Sequence, residues 1–512
     1  MTTTQTPSRR AGRRARLAQR AAPPKTNPAP PGALGGQYRP LSDADMVAIF
    51  ATALRLLETL GMGEVPERLA SDLIAAGAAK RDDGRITLPR SMVQQAIAIA
   101  PKTFTLHGRD PARSITVGDR RVYFGTGGAA VNTLDLDTRR YRPSTLTDLH
   151  DFTRLQDKLT NVSWFTRCCI ATDVPDNFDL DINTAYALIA NTTKPVATAF
   201  TLAEHVAPIV RMLDIAAGGS FAERPFLKAH ISPVISPMRF GADAVDVVYA
   251  CVAHNIPMSC ITAAQAGATA PATLAGFLAQ SLAETLASLV MVNTISPGYP
   301  MVFSNWPFVI DLRSGAFAGG GGETTVLNAA SAQLINWLGL PSGVAASMTD
   351  AKAVDAQYGV EKAMTSLGAA LAGGNLIYES SGMMAALLGA SFEAFILDDE
   401  MHAMTYRALR GIEVSAENLG FDAICAAILG DGHFLGSDHT YQAMERDYHY
   451  PALADRDPPQ TWADGGAADA WDRANAAARQ ILTNHNPQYL TPEQDAEIRS
   501  TYNILTPPRH AD

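Results

Sequence analysis

The feature that most constrains the fold is a regular alternation of short apolar segments with alanine-rich helical segments. The apolar segments recur every ~30 to 50 residues and read VSWFTRCCIAT, PVATAFT, FLKAHISPV, PMSCITAA, PMVFSNW, SGVAASMT and GNLIYES. With VYFGTGGAAVNTLD before them, eight strands are predicted. Eight strand–helix units predict an α/β fold, a (β/α)8 TIM barrel with its active site at the C-terminal strand ends. A doubly wound open sheet gives the same alternation and is the structural alternative.

The regions that flank the barrel have different patterns. Residues 1–35 are basic and proline-rich, which predicts a disordered basic tail. Residues 36–143 combine helical patterns with short alternating segments, which predicts an N-terminal helical and β cap. We assign residues 144–411 to the TIM-barrel catalytic domain and residues 412–512 to a C-terminal helical extension.

Charge and composition exclude several classes of protein. Residues 1–40 carry eight Lys and Arg and no acid, and the whole chain carries −10, so residues 41–512 carry −18. An acidic body argues against a nucleic-acid partner. The basic segment lacks the apolar stretch of an export signal, and no run of about 18 apolar residues indicates a membrane span. Five cysteines without a CxxC pair fit reduced thiols in a cytoplasmic protein.

Three local motifs suggest ligand sites but have simpler interpretations. GTGGAA at 125–130 resembles a dinucleotide fingerprint, yet a strand pattern follows it where a helix is required, so a tight turn is predicted. GAFAGGGGETT at 315–325 could hold an anion on free amides, or it is a flexible loop that allows close approach. His433, His439 and His449 lack a known zinc spacing, and packing roles are favoured over metal.

Aromatic residues at the predicted strand ends are the strongest indication of a binding site. No Ser-His-Asp or Cys-His pattern is visible, and the acids expected at barrel ends are Glu323 and Glu379. An aromatic lining with few cations suits a quaternary ammonium held by cation–π contacts. The predicted lining consists of Phe200, Gln265, Asn305, Trp306, Phe308 and Tyr378.

The order of these segments resembles the trimethylamine methyltransferase family. The resemblance is carried by LETLGMGEVPERL, ITLPRSMVQQAI and FTLHGRDP, and by the stretch from LGLPSGVAASMTDAKAVD to FEAFILDDEMHAMTYRALRG. GHFLGSDHT and YHYPALADRDPPQTW follow in the same order. It covers about residues 35–505, and ordered matches of this extent are more specific than a short motif.

The resemblance implies a TIM-barrel enzyme that passes a methyl group from a methylated amine to the cobalt of a corrinoid. The corrinoid is carried by a separate cognate protein, so this chain would bind no cofactor tightly and no metal. Founding members carry pyrrolysine in the segment that corresponds here to roughly 382–389, which reads GMMAALLG. Pyrrolysine-free relatives are associated with glycine betaine and similar quaternary amines, whose nitrogen has no lone pair and needs no such adduct. Met383 and Met384 would fill the space.

The same resemblance assigns roles to the candidate residues. The aromatic residues would hold the ammonium group, and Glu379 or Glu323 would supply the counter-charge. His402 is the candidate for contacting the carboxylate end of the substrate or orienting a neighbour, and its alternative is a packing histidine. His402 and Glu379 are therefore the predicted catalytic residues.

Other functions fit parts of the same pattern. A barrel that kept the aromatic cage but lost turnover would be a quaternary-amine binding protein, and the C-terminal histidines would suit a metal-dependent hydrolase. A trimethylamine methyltransferase is a further alternative. The predicted partners are the corrinoid protein, a small quaternary amine and further copies of this chain in a homo-oligomer, without nucleic acid or membrane.

Overall fold

The computed structural model describes residues 27–507, within which eight parallel strands close a barrel. Leu376 on the last strand pairs with Tyr123 on the first, which completes the ring. The (β/α)8 prediction is confirmed and the open-sheet alternative is wrong. The strands are β1 (Tyr123–Gly125), β2 (Val162–Thr166), β3 (Val196–Thr198), β4 (Leu227–Ile231), β5 (Met258–Thr262), β6 (Met301–Asn305), β7 (Ser342–Ala345) and β8 (Leu376–Tyr378).

Helices precede the barrel and follow each of its strands. The N-terminal helices are α1 (Asp43–Arg55), extended by a π-helical turn at Leu56–Leu60, α2 (Glu67–Ala75) and α3 (Arg90–Ile99). The barrel helices are α4 (Leu146–Lys158), α5 (Asn177–Asn191), α6 (Val206–Ala217), α7 (Ala242–Ala253), α8 (Leu274–Ile295), α9 (Gly322–Trp337), α10 (Ala356–Leu371) and α11 (Phe392–Arg410). Both the barrel and its helical layer follow the alternation in the sequence.

Local sequence explains where these helices begin. At the start of α4, Thr145 Oγ1 accepts from Asp148 N (3.2 Å), and Asp148 Oδ2 accepts from Thr145 N (2.8 Å), which forms a capping box. Arg142 donates two hydrogen bonds to the same carboxylate. The segment that directly precedes α4 is therefore anchored to that helix.

The cap and the barrel overlap in sequence. The first barrel strand, Tyr123–Gly125, lies inside the range 36–143 that we assigned to the cap, so the barrel begins before residue 144.

The helices α1, α2 and α3 all pack on α8. Among the described residues α8 is the one helix long and apolar enough to span a bilayer, contrary to our expectation that no run qualifies, and 83% of its apolar window is buried within the fold.

The predicted disordered tail, residues 1–35, includes a short stretch that packs on the barrel. Residues 1–26 lie outside the described residues. Residues 27–35 pack against the barrel instead: Ala29 is buried, Gly32 N donates to Val122 O (2.9 Å) and Gly35 N donates to Arg120 O (3.0 Å). The barrel itself supplies the hydrogen bonds that order this short stretch, and composition could not indicate that.

Two small sheets cover the C-terminal end of the barrel. One places the hairpin Met383–Met384 and Gly389–Ser391 beside Asn132–Leu134 and Tyr141–Pro143. The other joins Gln265–Ala266, Phe308–Ile310 and Phe317–Ala318. Shorter antiparallel pairs form from Ala79–Lys80 with Ile86–Thr87, Thr103–Leu106 with Ile115–Gly118, and Val234–Ile235 with Arg239–Phe240.

The C-terminal region is helical, as predicted. It contains α12 (Phe421–Leu429), α13 (Asp438–Arg446), α14 (Pro459–Asp464), α15 (Ala470–Asn484) and α16 (Pro492–Thr501). The helix α15 packs on α11 and α4, and α16 packs on α6. By contrast, α12 and α13 contribute no buried residue. All five cysteines of the chain are free.

Candidate active site

Alternate strands of the barrel supply one layer of inward-facing rings near its C-terminal end. Trp164 lies on β2, His230 on β4 and Tyr378 on β8, and Trp306 directly follows β6. The Tyr378 ring centroid is 4.6 Å from that of Trp164, 4.9 Å from that of Trp306 and 5.6 Å from that of His230. Residues from alternate strands filling a common layer are typical of this fold.

Glycines on the intervening strands make room for these rings. A Cβ on Gly125 of β1 would lie 2.2 Å from Trp164 Cε2. A Cβ on Gly343 of β7 would lie 2.4 Å from Ser304 Oγ and 2.9 Å from Tyr378 Cε2. The bulky layer therefore depends on the lack of side chains at these two positions.

A buried lysine lies within this layer. Lys228 on β4 is 2% exposed, its Nζ donates to Tyr378 OH (2.9 Å), and Tyr378 OH lies 2.5 Å from Ser259 Oγ. The same ammonium lies 5.0 Å from the centroid of Trp164 and 4.8 Å from that of Tyr378. Burial without a neighbouring carboxylate lowers the Lys228 pKa to about 7. The cation–π position between these two rings is thus already occupied by the protein's own cation.

Glu379 is a buried carboxylate without a hydrogen-bond partner. It directly follows β8 with a φ of 59°, is fully buried, and neither carboxylate oxygen has a hydrogen-bond donor within residues 27–507. Its oxygens face the backbone of Gly127 and Gly128, because added Cβ atoms there would lie 2.8 and 2.6 Å from them. Burial raises the Glu379 pKa to about 8, and the charge of Lys362 partly offsets this rise. A carboxyl in this environment is mostly protonated at pH 7, and a bound cation would favour its ionised form.

The hairpin beside Glu379 is strained. Ala385, Ala386 and Leu387 have φ values of 52°, 55° and 69°, in the left-handed region that costs non-glycine residues roughly 1–2 kcal/mol each. Hydrogen bonds from Ala385 N to Ala351 O (3.0 Å) and from Ala386 N to Thr349 O (2.9 Å) hold this conformation. Strain of this kind concentrates at functional sites.

A buried ion pair supports the hairpin from below. Lys362 Nζ is 2.7 Å from Asp398 Oδ2 and also donates to Met383 O (3.0 Å). Asp398 accepts further hydrogen bonds from Gly382 N (2.7 Å) and Tyr358 OH (2.6 Å). Burial lowers the Lys362 pKa, and Asp398 opposes that change. The network holds the backbone of Gly382 and Met383, and the side chains of Met383 and Met384 are fully buried.

Three of the predicted aromatic residues lie together. The centroids of Trp306 and Phe308 are 6.2 Å apart, and Trp306 contacts Tyr378 as described above. Gln265 pairs with Phe308 across the small sheet above the barrel and is half-buried. Phe200, although buried, belongs to a different apolar cluster from Trp306 and Tyr378. Gln265, Trp306, Phe308 and Tyr378 therefore lie close together, and their role in binding stays a prediction.

The other predicted residues lie elsewhere. Asn305 faces outward and donates to Ser281 Oγ on α8 (3.1 Å), because successive strand residues face opposite sides. Glu323 is exposed in the first turn of α9. His402 is fully buried, stacks on Phe124 at 4.0 Å, and its Nε2 lies 3.1 Å from Ser381 Oγ. Burial and the nearby lysine charge hold the pKa of His402 well below its usual range, which fits the packing alternative.

Two glycines of the glycine-rich loop lie against carboxylates of the protein. Asp350 Oδ1 accepts from Gly319 N (2.7 Å), and a Cβ on Gly320 would lie within 2.6 Å of the Glu361 carboxylate. Carboxylates of the protein thus occupy the place where we considered an anion. Within the described range, no three His, Cys, Asp or Glu side chains are arranged to hold a metal ion, the C-terminal histidines included.

Sequence reasoning missed three polar residues of the inner layer. Trp164, Lys228 and His230 face the barrel interior, and the last two alternate with apolar residues in FLKAHISPV. A lysine and a histidine two residues apart on a strand otherwise made of apolar residues share one face. That spacing was the available signal, and it would have predicted cations inside the barrel mouth.

Comparison with known proteins agrees with this architecture. A family described as Trimethylamine methyltransferase (MTTB) matches residues 9–503. Trimethylamine methyltransferase MttB of Desulfitobacterium hafniense (strain DSM 10664 / DCB-2) is 31% identical over 463 residues, covering 90% of this chain and 92% of that protein. Glycine betaine methyltransferase of D. hafniense (strain Y51) is 30% identical over 472 residues, covering 92% and 97%.

One solved structure in the comparison is the Methanosarcina barkeri monomethylamine methyltransferase MtmB. It matches with a TM-score of 0.47 at 14% identity, over 89% of this chain and 96% of that one. The family match spans almost the whole sequence and includes every barrel strand. This chain therefore belongs to the trimethylamine methyltransferase family and is a methyltransferase.

Proposed function

We propose that this chain transfers a methyl group from a quaternary amine, glycine betaine or a similar compound, to the cobalt of a corrinoid carried by a separate protein. The observation that supports a quaternary amine as the substrate is the environment of Glu379. This carboxylate is fully buried and has no hydrogen-bond donor within residues 27–507. A quaternary ammonium group has no N–H to donate, so it neutralises a carboxylate by charge alone. Of the two relatives described, one is named for glycine betaine and aligns over 92% of this chain.

The barrel mouth is suited to a bulky methyl acceptor. Several residues at the strand ends are small and half-buried, among them Gly128, Ala129, Ala199 and Ala263. Small side chains there would allow a planar macrocycle to approach the strand ends closely. The thiols that follow β2, Cys168 and Cys169, are fully buried and face no opening. Reduced corrinoid, when docked, supplies the nucleophilic cobalt(I).

The residues of this chain position the substrate rather than react with it. Glu379 would hold the ammonium, and the rings of Trp306 and Phe308 would exclude water on one side of it. The fixed hairpin at Met383 and Met384 would limit rotation of the substrate, so that one methyl group faces the mouth. When the methyl group leaves, the cation becomes a neutral tertiary amine, which weakens its attraction to Glu379 and favours release.

The test is methylation of free cob(I)alamin, followed by its absorbance change. Glycine betaine, proline betaine, carnitine and trimethylamine are offered in parallel. Methylation by a quaternary amine and none by trimethylamine is the expected result. Methylation by trimethylamine alone would favour the trimethylamine alternative, and binding of a quaternary amine without any transfer would favour the binding protein.

An exposed apolar cluster supports assembly with further copies of this chain. On and beside α12, Leu419, Phe421, Ile428 and Leu429 are large apolar residues with exposed fractions of 64% to 88%. Clusters of this kind mark interaction surfaces. We therefore propose a homo-oligomer in addition to the transient complex with the corrinoid protein, and light scattering after size-exclusion chromatography measures its mass.

A cytoplasmic location accords with five free cysteines.

A further inference from the structure

Buried hydrogen-bonding groups without partners surround Tyr378. Trp164 Nε1, Trp306 Nε1 and His230 Nδ1 have no hydrogen-bond partner within residues 27–507. A tryptophan N–H can only donate, and buried groups of this kind are normally satisfied by protein, water or ligand. The rings lie around a single residue, with the His230 and Trp306 centroids 5.2 Å apart. A ligand group that accepts hydrogen bonds would satisfy these donors.

The same place is electrically positive. Lys228 Nζ lies against Trp164 and Tyr378, and Arg167 follows β2 at the barrel mouth, half-buried. The charges of Lys228 and Arg167 both act on His230. No carboxylate of the described chain forms an ion pair with either cation, and the nearest acid to Arg167 that affects it, Asp181, is engaged by Thr201 and His205. The cluster has two cations and two unpartnered tryptophan N–H donors, and within residues 27–507 neither cation has a carboxylate in an ion pair with it.

These contacts argue against the simple aromatic cage. A substrate ammonium placed against Trp164 or Tyr378 would meet Lys228, and like charges repel across a few ångströms in a low-dielectric site. A carboxylate in the same place would gain the two cations and the unpaired N–H groups. Glu379, the group that suits a cation, follows Tyr378 directly in the chain. The negative charge of Glu379 thus follows in the chain the tyrosine whose hydroxyl accepts a hydrogen bond from the Lys228 ammonium.

We infer that Trp164, Lys228, His230 and Trp306 form a carboxylate pocket, and that the substrate is a zwitterion whose ammonium lies toward Glu379. The inference rests on the proposed function and sharpens it, because it selects quaternary ammonium carboxylates over tetraalkylammonium ions and amino alcohols. It also reverses the role predicted for the rings, which contribute N–H donors rather than π-faces. His402, buried behind Phe124, has no part in this recognition.

The test measures binding without any corrinoid, by titration calorimetry with glycine betaine and with tetramethylammonium. Trp306→Phe keeps an aromatic ring but removes the N–H, and Lys228→Met removes the cation at similar length. We expect each of these two substitutions to raise the Kd for glycine betaine at least tenfold. The ratio of the Kd for glycine betaine to the Kd for tetramethylammonium should rise by a similar factor. The matched controls are Trp337→Phe and Lys80→Met, both at exposed positions, and they leave the ratio unchanged.

Each outcome separates the inference from the proposed function. If Trp306→Phe and Lys228→Met weaken the binding of both ligands equally, the carboxylate pocket is overturned and the aromatic cage is favoured again. Methyl transfer from tetramethylammonium with no binding of glycine betaine would also overturn the pocket but leave the proposed function intact. Binding of trimethylamine alone would refute both. Thermal unfolding of each variant identifies loss of fold, and a variant that binds tetramethylammonium as wild type does is folded.

Discussion

Protonation of Glu379 makes the affinity for a cationic ligand depend on pH in a calculable way. Burial raises the pKa of this carboxyl to about 8, whereas the cation binds to the ionised form. At pH 7 only about one carboxyl in ten is ionised, so ionisation costs about 1.4 kcal/mol of binding free energy. Affinity for tetramethylammonium should rise about tenfold from pH 6 to 7, rise about tenfold again to pH 9, and then level off.

Calorimetry in buffers of different ionisation enthalpy measures the linked proton directly. We expect close to one proton released per ligand at pH 7, and none at pH 9. Glu379→Gln should abolish the release and weaken binding at pH 9 by up to about 3 kcal/mol, the attraction of unit charges roughly 5 Å apart at an effective dielectric constant of 20. Glu323→Gln, at an exposed carboxylate, is the matched control and should behave as wild type. A wild-type affinity independent of pH would refute this reasoning.

With glycine betaine the same experiment adds a second titration. Its carboxylate needs protonated Lys228, whose pKa is about 7 in the free protein, while its ammonium needs ionised Glu379. The groups that face Lys228 are the Tyr378 hydroxyl and the neutral ring of His230. Affinity should therefore fall on both sides of a maximum near roughly pH 7.5, unlike that of tetramethylammonium. A profile identical for both ligands would contradict the role of Lys228.

Two further predictions concern stability, measured by urea unfolding. Gly125→Ala should lower the free energy of unfolding by about 1–3 kcal/mol, because its Cβ would overlap the Trp164 ring. Gly359→Ala, on α10 with open space around it, should instead raise it by about 0.5–1 kcal/mol, and similar effects at both sites would refute the close-packing argument. Asp398→Asn should cost about 3–5 kcal/mol, since it leaves Lys362 buried without its counter-charge. A loss below about 1 kcal/mol would mean that the lysine is neutral in the fold.

The fold was predictable because its signal is local and repeated. Each strand segment is apolar because both its faces are buried, and each is followed by a helical pattern of sufficient length to return to the start of the next strand. The boundary between the cap and the barrel was harder to predict from the sequence. The strand at Tyr123–Gly125 is only three residues long and lies among cap segments of similar pattern, so the beginning of the barrel was placed too late. Residues 27–35 are held in place by hydrogen bonds to backbone groups far away in the sequence, and composition does not reveal such bonds.

The candidate site was predictable only in part. The proximity of Trp306, Phe308 and Tyr378 was predictable because residues at the C-terminal ends of the strands meet at the mouth of a TIM barrel. Asn305 was misplaced by one residue, which on a strand changes the face entirely. His402 was placed correctly on the helix after β8, but the face of a helix that meets the barrel depends on packing, and the structure buries it behind Phe124.

The sequence by itself determined the eight-unit barrel, the family and the absence of pyrrolysine, because these depend on periodicity and on residue order along the chain. Only the tertiary structure decided the electrostatics of the site. Lys228 and Glu379 are 151 positions apart and carry ordinary charges in an unfolded chain. Folding removes water from both without pairing either, and it is this loss of solvation that shifts their pKa values toward each other and prepares the site for a ligand with two charges.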